Sequence, residues 1–473
     1  MAIFDDDIKA TELGHSGTGE AEVRWSSSAT YMQVLVNGEQ LATLHPLMSP
    51  RLGAIMIDAG DVLIVGAGPV GFCTALALAQ EGVRVTLLEG AASISESPRA
   101  MVYFPVTMAA FENMGFLGDL DREGLRVQTV GHRVPDLDFH AQLSFKVLTG
   151  LTYDYQLHAG QDVAARIAYE HAQRKGVEVL FDHRVVSIEQ RSDSAITVVH
   201  TPEGPREFQS KWVIGCDGAR STVRKMLEIP YEGHTWANRF VATNIYCDID
   251  SLGIDRAGFT CDPVNMAMIA IIDKKGLWRL TYQEDGSLPA ETFMERLPSR
   301  FAFHIPAGVK YEIEAAQPYA IHQRCASRMR DGRVLLAGDA AHSTNPMGGL
   351  GFTTGLWDGL VLADILAAVL RGEEDDTILD RYSDERRRVF LEHTSPSASE
   401  NKRMMEESDP ARRRQDCLKI QAMVDDPEMA RLMMCFPFRV VGDLLRPNSR
   451  WKDIANPLKI AGIDINKHKS QFV

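Results

Sequence analysis

The run Gly66-Ala67-Gly68-Pro69-Val70-Gly71 constrains this chain more than any other feature. It follows the apolar stretch Asp61 to Val65 and opens a run that reads as a helix over 70–82. In a strand–turn–helix of this kind the first glycine permits the tight turn. The second lets the backbone approach a pyrophosphate, and the third lets helix and strand pack closely. The helix N-terminus adds unpaired N–H groups and a positive dipole end for the phosphates. A second strand, 83–89, ends on Glu89, 18 residues after Gly71. A carboxylate there accepts both hydroxyls of an adenosine ribose and repels a 2′-phosphate, so the site suits FAD or NAD rather than NADP.

The wider pattern is α/β, with an interruption. Residues 161–175 read as a helix and 177–181 as a strand. Residues 239–285 carry strand patterns with weak helical signal and read as a mostly antiparallel sheet. The α/β pattern returns at 332–339 and continues into a long helix from about Gly351 to Leu370. The segment 386–435 reads as charged helix. Its nine Lys/Arg and eight Asp/Glu between 381 and 416 favour a solvated face, shielding a site at most. In the head, Asn37-Gly38 between two apolar runs predicts a hairpin, because both residues tolerate the positive φ of a type I′ turn. The head reads as an extra hairpin on the main body, with a dimerisation arm as the alternative.

Charge narrows the function. Lys plus Arg total 50 against 64 Asp plus Glu, a net charge of −14, which argues against nucleic-acid binding. Seven cysteines without a CxxC pair point to a reducing compartment, the cytoplasm, and to no structural metal. Three aspartates in the first seven residues do not suit a secretory signal. The uncharged stretch 62–79 is broken by Gly66, Gly68, Pro69 and Gly71, so it does not read as a membrane span.

Two further motifs separate FAD from NAD. Residues 212–224, WVIGCDGARSTVR, deliver Asp217-Gly218 from a strand into a turn, followed by Arg220, Ser221 and Arg224. Residues 332–351, GRVLLAGDAAHSTNPMGGLG, deliver Gly338-Asp339 from another strand, then a Pro-Gly loop and a helix. With Pro98-Arg99-Ala100 and Gly160-Gln161-Asp162, these motifs resemble the single-component FAD-dependent aromatic monooxygenases, the class typified by p-hydroxybenzoate hydroxylase. The likeness covers about residues 61–390 and is nearest to phenol-hydroxylase-like members.

The resemblance implies a fold: a Rossmann-like FAD-binding domain (58–130, 157–235 and 320–385) with an inserted, mostly antiparallel β-sheet substrate domain (131–156 and 236–319). A head (1–57) and a helical C-terminal region (386–473) complete it. About 80 residues after the long helix region are too few for the thioredoxin-like domain that many such proteins carry. Asp339 resembles the carboxylate that binds the ribityl chain. Gly348, Gly349, Leu350 and Gly351 resemble the loop whose N–H groups face the flavin pyrimidine, and Pro346 the proline beside the site of oxygen activation. Gln161 and Arg99 resemble FAD-backbone contacts, and Asp217-Gly218 the turn near FAD and NAD(P)H. Many members have Gln where Leu350 stands and Asn where Thr353 stands, so side-chain roles there do not carry over.

The implied activity is hydroxylation of an aromatic, phenolic substrate with dioxygen and NADPH or NADH, through a flavin hydroperoxide. An epoxidase or Baeyer–Villiger oxygenase, or a non-catalytic FAD-binding protein, are the alternatives. No Trp-x-Trp-x-Ile-Pro segment supports a halogenase. A homodimer is compatible with this reading. Alternation in 278–282 puts Trp278, Leu280 and Tyr282 on one face and Arg279 and Thr281 on the other. Asn244 and Tyr246 share a face. Tyr282, then Tyr246, are the expected phenol contacts, since a tyrosine hydroxyl can polarise a substrate hydroxyl. His342 reads as a packed core histidine rather than a catalyst.

Overall fold

A computed structural model describes residues 56–95 and 100–454, with Pro457 and Gly462. Of the head it describes the backbone of three strands. These strands, Ala21–Trp25, Met32–Val36 and Glu39–Leu44, form an antiparallel sheet in that order. Val36 pairs with Glu39, as the hairpin expectation requires; the Asn37-Gly38 turn itself lies outside the described residues. The head is one compact unit, and residues 56–473 are the other.

In the larger unit, a six-stranded sheet has the order Glu178–Leu180, Val85–Leu88, Val62–Val65, Trp212–Gly215, Val334–Leu336, Arg330–Asp331. All neighbours are parallel except the last pair. Val62 to Val65 are buried on both faces, which explains a continuous apolar run in place of alternation. Pro69–Gln80 starts with proline at its first turn, where no N–H is needed. It packs against Gln161–Arg174 and Leu350–Leu370. Leu350–Leu370 is the one helix among the described residues long and apolar enough to cross a membrane, and it is buried within the fold. A four-stranded sheet pairs Arg184–Gln190, Ala195–Thr201, Gly204–Ser210 and Met56–Asp58; the sequence reading had not singled out these strands.

The interruption forms an eight-stranded, mostly antiparallel sheet. Its order is Phe139–Ser144, Thr129–Val134, Ala257–Thr260, Ala267–Ile271, Leu277–Asp285, Tyr231–Tyr246, Glu312–Ala326, His342–Ser343. One pair, Ala257–Thr260 with Thr129–Val134, is parallel. The strands Tyr231–Tyr246 and Glu312–Ala326 run across the expected segment boundaries at 236 and 320. One face of this sheet is sealed by the helix Phe293–His304, whose Leu297 and Phe301 pack onto Trp278, Leu280 and Tyr282. The other face looks into a cavity.

The C-terminal helices Ser395–Glu406, Pro410–Asp425 and Pro427–Met434 correct the reading of a solvated face. Lys402, Arg413 and Asp416 are buried. Each is paired: Lys402 with Glu406, Arg413 with Asp136, and Asp416 with Arg403 at 3.0 Å. Balanced charge in a helix reads the same whether ion pairs form in water or against a neighbouring element. Only packing separates the two cases.

Candidate active site

A cavity of about 1350 Å³ joins the glycine turn to the eight-stranded sheet. Single-ligand pockets occupy roughly 300–1,000 Å³, so this one has room for a dinucleotide and a second molecule. At one end, Gly66 adopts φ +109°, and a Cβ there would lie 2.6 Å from the Cys216 carbonyl oxygen. A Cβ on Gly71 would overlap the Gly66 carbonyl oxygen; this is the close helix–strand approach the motif predicts. Gly68 is the opposite case: nothing lies within 4 Å of its Cβ position, which borders the cavity. Glu89 reaches this turn, accepting from the Ala67 amide at 2.8 Å and the Ala91 amide at 2.9 Å.

Further along, Pro69, Gln161, Asp217, Gly218, Asp339, Pro346, Gly349, Leu350 and Gly351 all line the same cavity. Gly71 lies behind it, and Arg99 falls outside the described residues. Gln161 accepts from the Ala100 amide at 3.2 Å. The Asp217 carboxylate accepts from the Thr222 and Val223 amides and the Ser221 and Thr222 hydroxyls, so its side chain shapes the turn. Arg224 stacks on Tyr231 at 3.7 Å and donates to the Ala340 carbonyl, bracing the backbone beside Asp339. Gly348 and Gly349, at φ +104° and +66°, turn the loop into the helix Leu350–Leu370. The first N–H groups of that helix have no intrahelical acceptor and point out of its N-terminus. Gln323 holds the loop: its Oε1 accepts from the Asn345 backbone and side chain, both at 3.1 Å, and its Nε2 donates to the Ser395 hydroxyl at 2.8 Å.

Behind Asp339 lies a buried network that sequence reasoning missed. Asp358 accepts from the Gly338 amide at 3.0 Å, faces His342 Nε2 at 2.7 Å, and accepts from Arg386 Nε at 2.7 Å. Burial pushes the Asp358 carboxyl up, but His342 and Arg386 outweigh it and hold it below the usual carboxylate range. His342, stacked on Phe390, is a core residue as expected. A signal was present: Asp358 and Asp364 are the only charges in the otherwise apolar helix Leu350–Leu370. Asp364 pairs with Arg446 at 3.0 Å.

The sheet floor corrects both tyrosine expectations. The register puts His132, Phe259, Met268, Thr281, Ala242 and Gln317 in one cross-strand row, and all six line the cavity. The neighbouring row contains Val130, Ala257, Ala270 and Arg279. Tyr282 therefore points the other way, into the core under Phe293–His304, with its ring 6.4 Å from Phe301. Tyr246 has the cavity-side parity but lies at its strand end, 38% exposed and outside the lining. Alternation separates two faces but does not say which one a helix will cover.

The polar groups actually on the floor are different. Arg279 donates from Nε to Asn244 at 2.8 Å, and Asn244 donates to Glu314 at 3.0 Å. Burial lowers Arg279 to about 10, still cationic at neutral pH. His132 has a buried Nδ1 without a hydrogen-bond partner. Burial pushes it down to about 4, with Asp255 pulling the other way, so it is neutral. The roof comes from the C-terminal helices, through Met404, Met405, Cys417, Ile420, Met423 and Met434. The expected shield is thus a wall of the chamber.

Buried and half-buried histidines set an acid limit. His132, His158 and His304 are each pushed down to about 4 by burial. An unfolded histidine titrates near 6.5. Between about pH 6.5 and 4 the unfolded chain therefore binds protons the folded one refuses, and stability falls as pH falls. For the fully buried His158 this is worth roughly 3 kcal/mol. Denaturant midpoints measured from pH 7.5 to 4.5 should be flat above about 6.5 and decline below it. A flat line throughout would contradict the burial argument.

A family model described as FAD binding domain matches residues 59–395. The chain belongs to the single-component FAD-dependent aromatic monooxygenases. This monooxygenase is 40% identical over 380 residues to para-nitrophenol 4-monooxygenase of Pseudomonas sp. (strain WBC-3), covering 79% of this chain and 94% of that one. It is 39% identical over 382 residues to 6-hydroxy-3-succinoylpyridine 3-monooxygenase HspB of Pseudomonas putida (strain DSM 28022 / S16), covering 80% and 97%. The crystal structure of p-nitrophenol 4-monooxygenase PnpA from Pseudomonas putida DLL-E4 superposes with a TM-score of 0.78 at 39% identity, covering 82% of this chain and 99% of that one.

FAD fits the residues present in this monooxygenase. The open space at Gly68 and the carboxylate of Glu89 at the same turn suit the adenosine diphosphate half. Asp339 and the N-terminus of Leu350–Leu370 suit the ribityl and flavin half. When bound, the flavin supplies the redox chemistry and oxygen activation. The chain's own residues would bind it, orient it and exclude water around the substrate. The helix N-terminus favours negative charge beside Gly349. Asp339→Ala should lower FAD affinity about 10- to 150-fold, the worth of a hydrogen bond to a charged group. Asn401→Ala, in the tail beside Gly348, should lose less. Equal FAD dissociation constants for Asp339→Ala and the parent would refute the ribityl role.

Proposed function

We propose that this monooxygenase consumes NAD(P)H to oxygenate a phenol at the ring carbon para to its hydroxyl, where an electron-withdrawing group is attached. The carrying observation is the continuity of the cavity: the FAD cradle opens onto a sheet floor whose polar groups include a cation, Arg279, and a neutral histidine, His132. The names of the two relatives support the position. Oxygenation at C4 of para-nitrophenol, and at C3 of 6-hydroxy-3-succinoylpyridine, falls on a substituted carbon opposite the hydroxyl. The nicotinamide partner is inferred from the sequence, which has one convincing GxGxxG unit and therefore leaves the reductant a visiting surface near Asp217-Gly218. Seven buried free thiols support a reducing compartment, the cytoplasm.

With para-nitrophenol the balanced reaction takes NAD(P)H, a proton and dioxygen. It yields para-benzoquinone, nitrous acid, water and NAD(P)⁺. The FAD-loaded protein should oxidise NADH or NADPH faster when para-nitrophenol is present, release nitrite, and place one atom of labelled dioxygen in the quinone. A panel of hydroxyarenes none of which accelerates NAD(P)H oxidation would sink the reading. A nitrocatechol product with the nitro group retained would overturn the position but not the activity.

A further inference from the structure

The substrate chamber carries two polar anchors outside the cofactor motifs, His132 and Arg279. His132 stands at one side of the floor, on the strand Thr129–Val134, next to Phe259 with ring centroids 5.2 Å apart. Its Nδ1 is buried and unpartnered although the ring lines the cavity. A neutral imidazole at a cavity wall, held by no protein hydrogen bond, can exchange a hydrogen bond with a bound hydroxyl. The nearby carboxylate, Asp255, lies behind the sheet against Gly131 and is occupied by His140 and Gln142. From the cavity side, the titratable groups sharing the chamber include Arg279, Tyr319, Cys261 and His322 and, on the tail, Glu400, Arg413, Asp416, Cys417 and Lys419. Arg413 and Asp416 are engaged by Asp136 and Arg403.

Arg279 stands three strands away, one row along. With strands about 4.8 Å apart and a rise of about 3.4 Å per residue, the two Cα atoms are about 16 Å apart. A para-disubstituted ring with a hydrogen bond at each end spans a little less, which side chains leaning inward take up. Between the anchors the floor is apolar or small: Phe259, Met268 and Ala270. Arg279 is fixed by Asn244, itself fixed by Glu314, so the guanidinium is directed rather than free to search.

We propose that His132 receives the ring hydroxyl of the substrate through its imidazole while Arg279 takes the electron-withdrawing group at the opposite end, so that this pair sets which carbon is oxygenated. The inference rests on the reading of a para-substituted phenol as substrate. It makes specificity a matter of two separable contacts, each of which one ligand can lack.

The test is a crossed binding experiment on the FAD-loaded protein, following flavin absorbance with para-nitrophenol, nitrobenzene and phenol. His132→Leu should weaken para-nitrophenol about 3- to 10-fold and leave nitrobenzene, which has no hydroxyl, unchanged. His132→Gln, which keeps a hydrogen-bonding side chain of similar reach, should recover part of the loss. Arg279→Met should weaken para-nitrophenol about 10- to 100-fold and leave phenol unchanged. Because each variant is compared with itself across two ligands, a partly unfolded fraction cancels from the ratio. In turnover, His132→Leu should raise the fraction of product that retains its nitro group, a readout that a merely structural role would leave alone. Equal weakening of both ligands, or a parent-like preference for the hydroxyl in His132→Leu, overturns the assignment while leaving the phenol reading in place. A parent protein that binds none of the three overturns both.

Discussion

Asp358→Ala should destabilise the folded protein by about 3–5 kcal/mol, the cost of removing one partner from a buried ion network. Arg386 and His342 would then face each other without their shared carboxylate, in a region where all three side chains are essentially inaccessible. The effect should also reach the flavin site, because Asp358 holds the Gly338 amide and Gly338 precedes Asp339. Urea unfolding of the FAD-free protein gives the stability term, and FAD titration of the folded fraction gives the second. Arg386→Met should match Asp358→Ala in stability. Asp358→Asn, which keeps an acceptor oxygen but loses the charge, should fall between them and the parent. A loss below about 1 kcal/mol for Asp358→Ala would mean that the network is not load sharing in the way its burial implies.

Gly68→Val should separate folding from cofactor binding. The Cβ position at Gly68 has no neighbour within 4 Å, and the residue is at the N-cap of Pro69–Gln80 with φ −77°, a conformation open to any residue. The apoprotein should therefore unfold within about 0.5 kcal/mol of the parent. The branched side chain would occupy the space where a pyrophosphate approaches the backbone. FAD affinity should fall by two orders of magnitude or more, the scale of about 2.7 kcal/mol. Gly71→Val gives the contrast: its Cβ would overlap the Gly66 carbonyl oxygen, so fold and cofactor should be lost together. Retained FAD binding in Gly68→Val would remove the pyrophosphate from this turn.

The cofactor half of the site was legible because its requirements are local. A positive φ at Gly66, a close approach at Gly71 and a carboxylate at the end of the next strand are demands on residues near one another in the chain. The strands Val62–Val65, Val85–Leu88, Trp212–Gly215 and Val334–Leu336 could be read from apolar runs bounded by turns. Asp217 reads from the sequence as part of the turn near FAD and NAD(P)H, and only the structure shows that four donors of that turn occupy its carboxylate.

The substrate half was not legible, for a different reason. Its alternation pattern correctly set Arg279 and Thr281 against Trp278, Leu280 and Tyr282, yet a period of two carries no information about which face is covered. That was decided by Phe293–His304, a helix that buries the tyrosine face, and by tail helices, from Ser395 onward, that roof the other. Likewise the charges of 386–435 could be counted but not paired, since Asp136 and Arg413 lie 277 positions apart. By itself, then, the sequence determined a FAD-binding α/β chain with an inserted sheet, because backbone geometry and strand period are properties of neighbouring residues. Only the tertiary structure decided which side of that sheet meets the substrate, because burial depends on segments far away in the chain arriving on one face and not the other.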